Sequence, residues 1–226
     1  MPDPILVIEH ASFEPMGLLA AWLSEAGAPV LRCMPYVGDR IPESLDGFSG
    51  LVVMGGPQSA ADAEVAPWVG ERALIAAAVA DAVPFLGICL GAQLLAVSCG
   101  GSVAPMHGAG ERGVVVVDVR PEAASDLLLG DLPAKLKVVQ WHGDEVTTLP
   151  DGSVWLASNT ACRHQAFRVG ERAWGLQFHP EATPEILAGW AAADGVTAAK
   201  EVRAVAALDL DSTWRPAAVR FARLVL

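Results

Sequence analysis

Val83-Pro84-Phe85-Leu86-Gly87-Ile88-Cys89-Leu90-Gly91-Ala92-Gln93-Leu94-Leu95-Ala96-Val97 decides how this chain folds. Val83 to Ile88 predicts a buried strand and Leu90 to Ser98 a helix, with a cysteine at the tight turn between them. Strand, turn and helix around one reactive side chain form a nucleophile elbow, here in a thiol version. Gly87 and Gly91 leave room for a turn that side chains would block. The sulfur of Cys89 would sit at a helix N-terminus, where peptide dipoles favour thiolate over thiol. Packing alone does not call for two glycines around one cysteine. That separates Cys89 from Cys99 and Cys162, which read as small apolar core residues.

Outward from the elbow, strands alternate with helices. Ile5 to Ile8, Pro29 to Leu31 and Gly50 to Met54 predict strands; Met16 to Ala26 and Trp68 to Ala82 predict helices. Alternation of this kind implies parallel βαβ units in a doubly wound sheet. After Gly101 the spacing shortens. Gly113 to Val119, Leu136 to Trp141, Val154 to Ala157, Gln165 to Val169 and Ala173 to Phe178 read as strands added antiparallel to that core. Pro184 to Ala193 is helical, with Thr183 as N-cap and Pro184 in the first turn. Thr197 to Ala207 and Pro216 to Leu226 also predict helices, and Asp211-Ser212 offers a start for the last. No repeat or long linker interrupts the pattern, so residues 1–226 are expected to form a single α/β domain: a mostly parallel central sheet flanked by helices, flavodoxin-like, with antiparallel additions.

Composition narrows the function classes. The 226 residues are 53% hydrophobic, which supports a sizeable core, and the net charge is −11. An acidic surface repels phosphate backbones, so no nucleic-acid partner is expected. No window approaches the ~18 apolar residues of a membrane helix, so no membrane partner is expected either. Four scattered cysteines without a paired motif, behind an N-terminus lacking a signal peptide, point to a reduced cytoplasmic setting.

A thiol that attacks an amide needs a base for its own proton and an acid for the leaving amine. Imidazole serves both near neutral pH. Phe178-His179-Pro180-Glu181 supplies one, with a carboxylate two residues on. In an extended chain those side chains share a face, and a proline favours extension before it. Gly55-Gly56-Pro57 ends a strand at the sheet edge where ligands bind. Pro57 has no N–H, so Gly56 and Leu90 are the candidate oxyanion donors. His142 with Asp144 and Glu145 lacks specific metal-ligand spacing, and Gly108 and Gly110 argue against the helix that would align His107 with Glu111, so no metal or other cofactor is expected. His10 and His164 read as surface or structural residues.

The set Gly55-Gly56-Pro57-Gln58-Ser59, Gly87 to Gln93, Trp141-His142-Gly143-Asp144-Glu145 and Gly175 to Glu181 resembles the triad-type class I glutamine amidotransferases. The resemblance is nearest to the amidotransferase domain of GMP synthase and its stand-alone relatives. It implies a γ-glutamyl thioester on Cys89, with His179 and Glu181 completing the triad and Gly56 and Leu90 forming the oxyanion hole. It also implies substrate contacts from Gly55, Pro57, Gln93 and His142, with glutamine or a γ-glutamyl compound as substrate. Trp141 departs from the family pattern, where the synthase domain has serine. The synthase half's Ser-Gly-Gly-x-Asp-Ser nucleotide loop does not occur, so an ammonia-consuming synthetase is expected to be a separate subunit. A γ-glutamyl peptidase without an acceptor, favoured by Trp141, and a non-catalytic regulatory module are the alternatives.

Overall fold

A computed structural model describes residues 2–61 and 68–226, with only the backbone described at 68 and 69. In chain order its elements are β1 (Ile5–Ile8), α1 (Leu18–Glu25), β2 (Val30–Cys33), β3 (Gly50–Val53), α2 (Trp68–Ala80), β4 (Phe85–Ile88) and α3 (Leu90–Ser98). There follow β5 (Ser102–Pro105), β6 (Glu111–Val119), β7 (Lys135–His142), β8 (Asp144–Thr148), β9 (Val154–Ser158), β10 (Ala166–Val169) and β11 (Ala173–Leu176). Three helices close the chain: α4 (Pro184–Ala193), α5 (Ala199–Ala206) and α6 (Leu210–Val225).

The main sheet runs β2-β1-β3-β4-β11-β10-β9-β6-β7. The pairs from β2 through β11 are parallel; those from β11 to β7 are antiparallel. A mostly parallel core with antiparallel additions is what was expected, except that β11, read as one of the antiparallel additions, pairs parallel with β4 and antiparallel only with β10. Strands β1, β3, β4 and β11 are buried at every residue, as strands covered on both faces must be. Their carboxyl ends lie side by side, so the chain following Ile8, Val53, Ile88 and Leu176 converges on one sheet edge. One core cluster brings Trp22, Trp174, Trp190 and Trp214 together. The other joins β1, β3 and β4 to α3.

The last helix begins earlier than expected. Asp209 caps it, accepting from the Ser212 amide at 3.0 Å, and Pro216 lies inside rather than at the start. An interior proline forfeits a helix hydrogen bond. The face formed by Leu210, Trp214, Ala217, Ala218, Phe221, Ala222 and Val225 is nevertheless buried and holds the helix in place. The pair β5–β8 forms a separate two-stranded sheet that the sequence reading did not anticipate. Its outer strand is half-exposed and ends in a proline, so it lacks the apolar alternation of a core strand. Strand β6 starts at Glu111, two residues before its expected limit, and runs through Gly113 at φ 84°.

Candidate active site

Cys89 stands between β4 and α3 at φ 52°, ψ −105°. Among the described non-glycine residues only Ala82 shares a positive φ. Strain of this kind is held in place by its surroundings. The Cys89 amide donates to Leu176 O at 2.8 Å, and Cys89 O accepts from the Gln93 amide at 3.1 Å. The two glycines are sterically required. A Cβ on Gly91 would lie 2.1 Å from Val53 O, and one on Gly87 would lie 2.4 Å from Gly91 O.

Because β11 pairs with β4, the chain leaving Leu176 passes over this turn. The His179 amide donates to Val139 O at 2.9 Å, and the ring Nδ1 lies 2.8 Å from Glu181 Oε1. Both side chains are only 1% exposed, so water does not compete for that bond. Nε2 has no hydrogen-bond partner of normal geometry among the described residues, and the group acting on it is Cys89. Burial alone would lower the His179 pKa. The charges of Glu181 and Cys89 outweigh it and hold the ring well above its ordinary 6.5, which favours the protonated imidazolium. Gly17, at φ 50°, brings the chain before α1 against Glu181, whose carbonyl accepts from the Leu18 amide at 3.0 Å.

Beside Cys89 opens a cavity of about 330 Å³, at the lower end of small-molecule sites. Gly56, Pro57, Leu90, Gln93 and His142 line it together with Cys89. A Cβ on Gly56 would meet Leu90 Cδ2 at 2.7 Å, so the Leu90 side chain packs directly against Gly56. Gly55 is not part of the cavity wall. Its carbonyl lies 3.1 Å from His10 Nδ1, and a Cβ there would lie 2.7 Å from Glu14 Oε2 and 3.1 Å from His179 Cε1. Gln93 is held by its Nε2, which donates to Asp144 O and to Gln177 Oε1, both at 3.1 Å. Gln177 Nε2 in turn donates to Cys89 Sγ at 3.6 Å. The sequence assigned Gln177 no role, and its place two residues before His179 was the signal.

The expectation that His10 and His164 are surface or structural resolves to buried, structural residues. His10 Nε2 lies 3.0 Å from Glu71 Oε1, and His164 Nδ1 lies 2.7 Å from Val146 O. The His142 ring spans Asp144 O at 2.9 Å and Glu111 Oε2 at 3.2 Å. Glu111, His142 and Cys162 bring their ligating atoms within 4.8 Å of one another. Glu111 is already saturated, accepting from Asn159 at 2.6 Å and Gln165 at 2.7 Å. Burial pushes the Cys162 thiol far up, away from the thiolate a metal would need. The cluster fits a hydrogen-bonded support for His142.

Trp141 stands in the cavity wall with Phe13 and Trp190. Its Nε1 donates to Asp194 Oδ2 at 3.0 Å, which also takes Arg112 at 2.8 Å, and its ring is 6.3 Å from that of Trp190. The Trp190 ring also lies 4.3 Å from His179.

Glu14, unremarked in the sequence, lines the same cavity. Burial pushes its carboxyl up to about 7, opposed by the charge of His179 and reinforced by that of Glu181. The folded protein therefore binds a proton that the unfolded chain releases near 4.5, and stability falls as pH rises from there to about 7. That difference corresponds to ~3 kcal/mol, so Glu14→Gln is expected to gain about 2–3 kcal/mol over wild type at pH 8 and nothing at pH 4. Denaturant unfolding at the two pH values reads this directly.

The family description "glutamine amidotransferase class-I" matches residues 23–188. A GMP synthase (glutamine-hydrolysing) of Porphyromonas gingivalis is 36% identical over 151 residues, 66% of this chain but 28% of that protein. The glutamine amidotransferase-like protein YfeJ of Salmonella typhimurium is 32% identical over 186 residues, covering 80% of this chain and 77% of its own length. The crystal structure of a glutamine amidotransferase from Methylobacillus flagellatus superposes with a TM-score of 0.88 at 26% identity, over 100% of this chain and 96% of that one. The chain thus spans under a third of the Porphyromonas synthase and most of the shorter relatives, and it belongs to the class I glutamine amidotransferase family.

Proposed function

We propose that this protein hydrolyses the side-chain amide of glutamine to glutamate and ammonia through a thioester on Cys89. The observation that carries this reading is the His179–Glu181 pair, buried behind a strained cysteine that opens into a cavity. In the proposed sequence Cys89 attacks the γ-carbonyl carbon while its proton rests on His179 Nε2. The carbonyl electron pair moves onto oxygen, where the Gly56 and Leu90 amides receive it; one such donor is worth ~10²–10³ in rate. Collapse breaks the C–N bond, and His179 returns the proton to the departing nitrogen. Water, deprotonated by the same ring, then releases glutamate. Glu181 fixes the ring through Nδ1 throughout. Pro57, Gln93 and His142 would hold the amino-acid part of the substrate. Gly55 would act by letting Glu14 and His179 approach each other.

The ammonia would pass to a separate synthetase, in line with the likeness to one segment of GMP synthases. Glutamate release from L-glutamine, measured alone and with a synthetase lacking its own amidotransferase domain, tests both statements. Release in neither case refutes the hydrolysis; release indifferent to the synthetase refutes the partnership.

A second reading, hydrolysis of γ-glutamyl amides with no acceptor, is favoured by the aromatic wall of Phe13, Trp141 and Trp190. If Trp141 packs against a larger leaving amine, Trp141→Ser is expected to lower kcat/KM for γ-glutamyl dipeptides about tenfold relative to glutamine, as loss of ~1–2 kcal/mol of apolar contact would. An unchanged preference removes Trp141 from this reading.

A further inference from the structure

Two carboxyls stand close to the His179 ring. Glu181 is bonded to Nδ1 and lies outside the cavity wall; Glu14 belongs to that wall. The other acids of the wall are engaged. Asp144 Oδ2 accepts from Ser59 Oγ at 2.5 Å, and Asp194 Oδ2 holds both Arg112 and Trp141. Among the described residues Glu14 has no such partner. The Trp190 indole N–H points toward it without normal hydrogen-bond geometry. The titratable groups acting on it are His179, Glu181 and His10, the last held by Glu71, with Cys89 across the cavity. Its Oε2 and the Cε1 edge of His179 both crowd the same point beside Gly55, 2.7 and 3.1 Å from where a Cβ would stand. The loop that carries it is fixed. Met16 N donates to Glu9 Oε1 at 3.0 Å, and Glu14 N donates to Ala11 O at 3.1 Å. A buried carboxyl held open toward a cavity, beside the ring that must protonate a leaving nitrogen, is placed to hold that nitrogen.

We propose that Glu14 binds the leaving group, its carboxylate accepting an N–H of the scissile γ-amide and turning the nitrogen's nascent lone pair toward Nε2 of His179. This rests on the thioester reading above and adds a requirement for the help Glu14 gives: the leaving atom must be a nitrogen that carries hydrogen, while other leaving groups depart without it. As the tetrahedral intermediate collapses, the C–N bond breaks and the His179 proton goes to nitrogen. Glu14 keeps the N–H bond it already holds and gains or loses no proton. Primary amides and γ-glutamyl secondary amides both satisfy the requirement. A γ-ester does not.

L-glutamine and L-glutamate γ-methyl ester give the same γ-glutamyl thioester, so kcat/KM for the pair isolates the leaving group. A hydrogen bond to a charged acceptor is worth ~1.5–3 kcal/mol, or ~10–100-fold. At pH 8, where Glu14 is mostly ionised, Glu14→Met is expected to lose about thirtyfold in kcat/KM on glutamine and less than about threefold on the ester. Glu14→Gln, which keeps a carbonyl acceptor, should recover part of the loss on the amide. Equal losses on both substrates, or no loss on glutamine, would overturn the proposal, since a merely structural role moves both together. Wild type inactive on both substrates would instead refute the thioester reading on which the proposal stands.

Discussion

Cys89→Ala is expected to reduce glutamine hydrolysis by at least ~10⁴-fold while leaving the fold intact, in line with the loss on removing a triad nucleophile. The size follows from the division of labour. Without the sulfur no thioester forms, and His179 has no proton to accept. The Gly56 and Leu90 amides retain only what they contribute to direct attack by water. The fold survives because alanine makes the same hydrogen bonds at the main chain, from residue 89 N to Leu176 O and from Gln93 N to residue 89 O. A methyl also relieves none of the positive-φ strain, so the melting temperature should shift by only a few degrees. Steady-state glutamate release and circular dichroism melting check the two halves. Activity within tenfold of wild type would exclude Cys89 as the nucleophile.

Gly91→Ala should damage both stability and activity. The added Cβ meets the Val53 carbonyl at 2.1 Å, and that atom is main chain, so α3 must move away from β3. Overpacking of this kind costs about 3 kcal/mol, which for a chain of this size lowers Tm by ~6–12 °C. The same movement displaces Leu90 and Cys89, and a shift of about 1 Å at a reacting centre costs ~10²-fold in rate. Gly70→Ala is the control. Gly70 is helical, and no described atom lies within 4 Å of where its methyl would stand, so alanine there should be neutral or stabilise by up to ~1 kcal/mol. Thermal melts and kcat for the two variants separate a steric requirement from general intolerance of alanine.

The elbow was legible because sterics dictate its residues. Gly87 and Gly91 each face backbone at under 3 Å, and no other residue type satisfies that. The His179–Glu181 pair was legible for a related reason: extended chain through Pro180 puts two alternate side chains on one face. The half of the sheet nearest the elbow followed from apolar runs long enough to be strands covered on both sides. Pro216 misled because proline is as common in a first helical turn as it is rare in the interior, and only the apolar face of α6 outweighs that rule. Strands β5 and β8 lack an apolar face of their own, so nothing in Ser102 to Pro105 marks a strand. Glu14 carried no local signal at all. Its burial, its raised pKa and its nearness to His179 arise from Gly55, Trp190 and α4, which are far away along the chain. The same holds for the Arg112–Asp194–Trp141 contact, which joins three distant segments at the cavity wall.

The most direct test is incubation with acivicin, an electrophilic analogue of glutamine, followed by peptide mass spectrometry. One adduct per chain is expected, on the peptide containing Cys89 and absent from Cys89→Ala. A wild-type protein left unmodified both alone and with the synthetase, or an adduct on Cys33, Cys99 or Cys162 instead, would contradict a glutamine site built around Cys89.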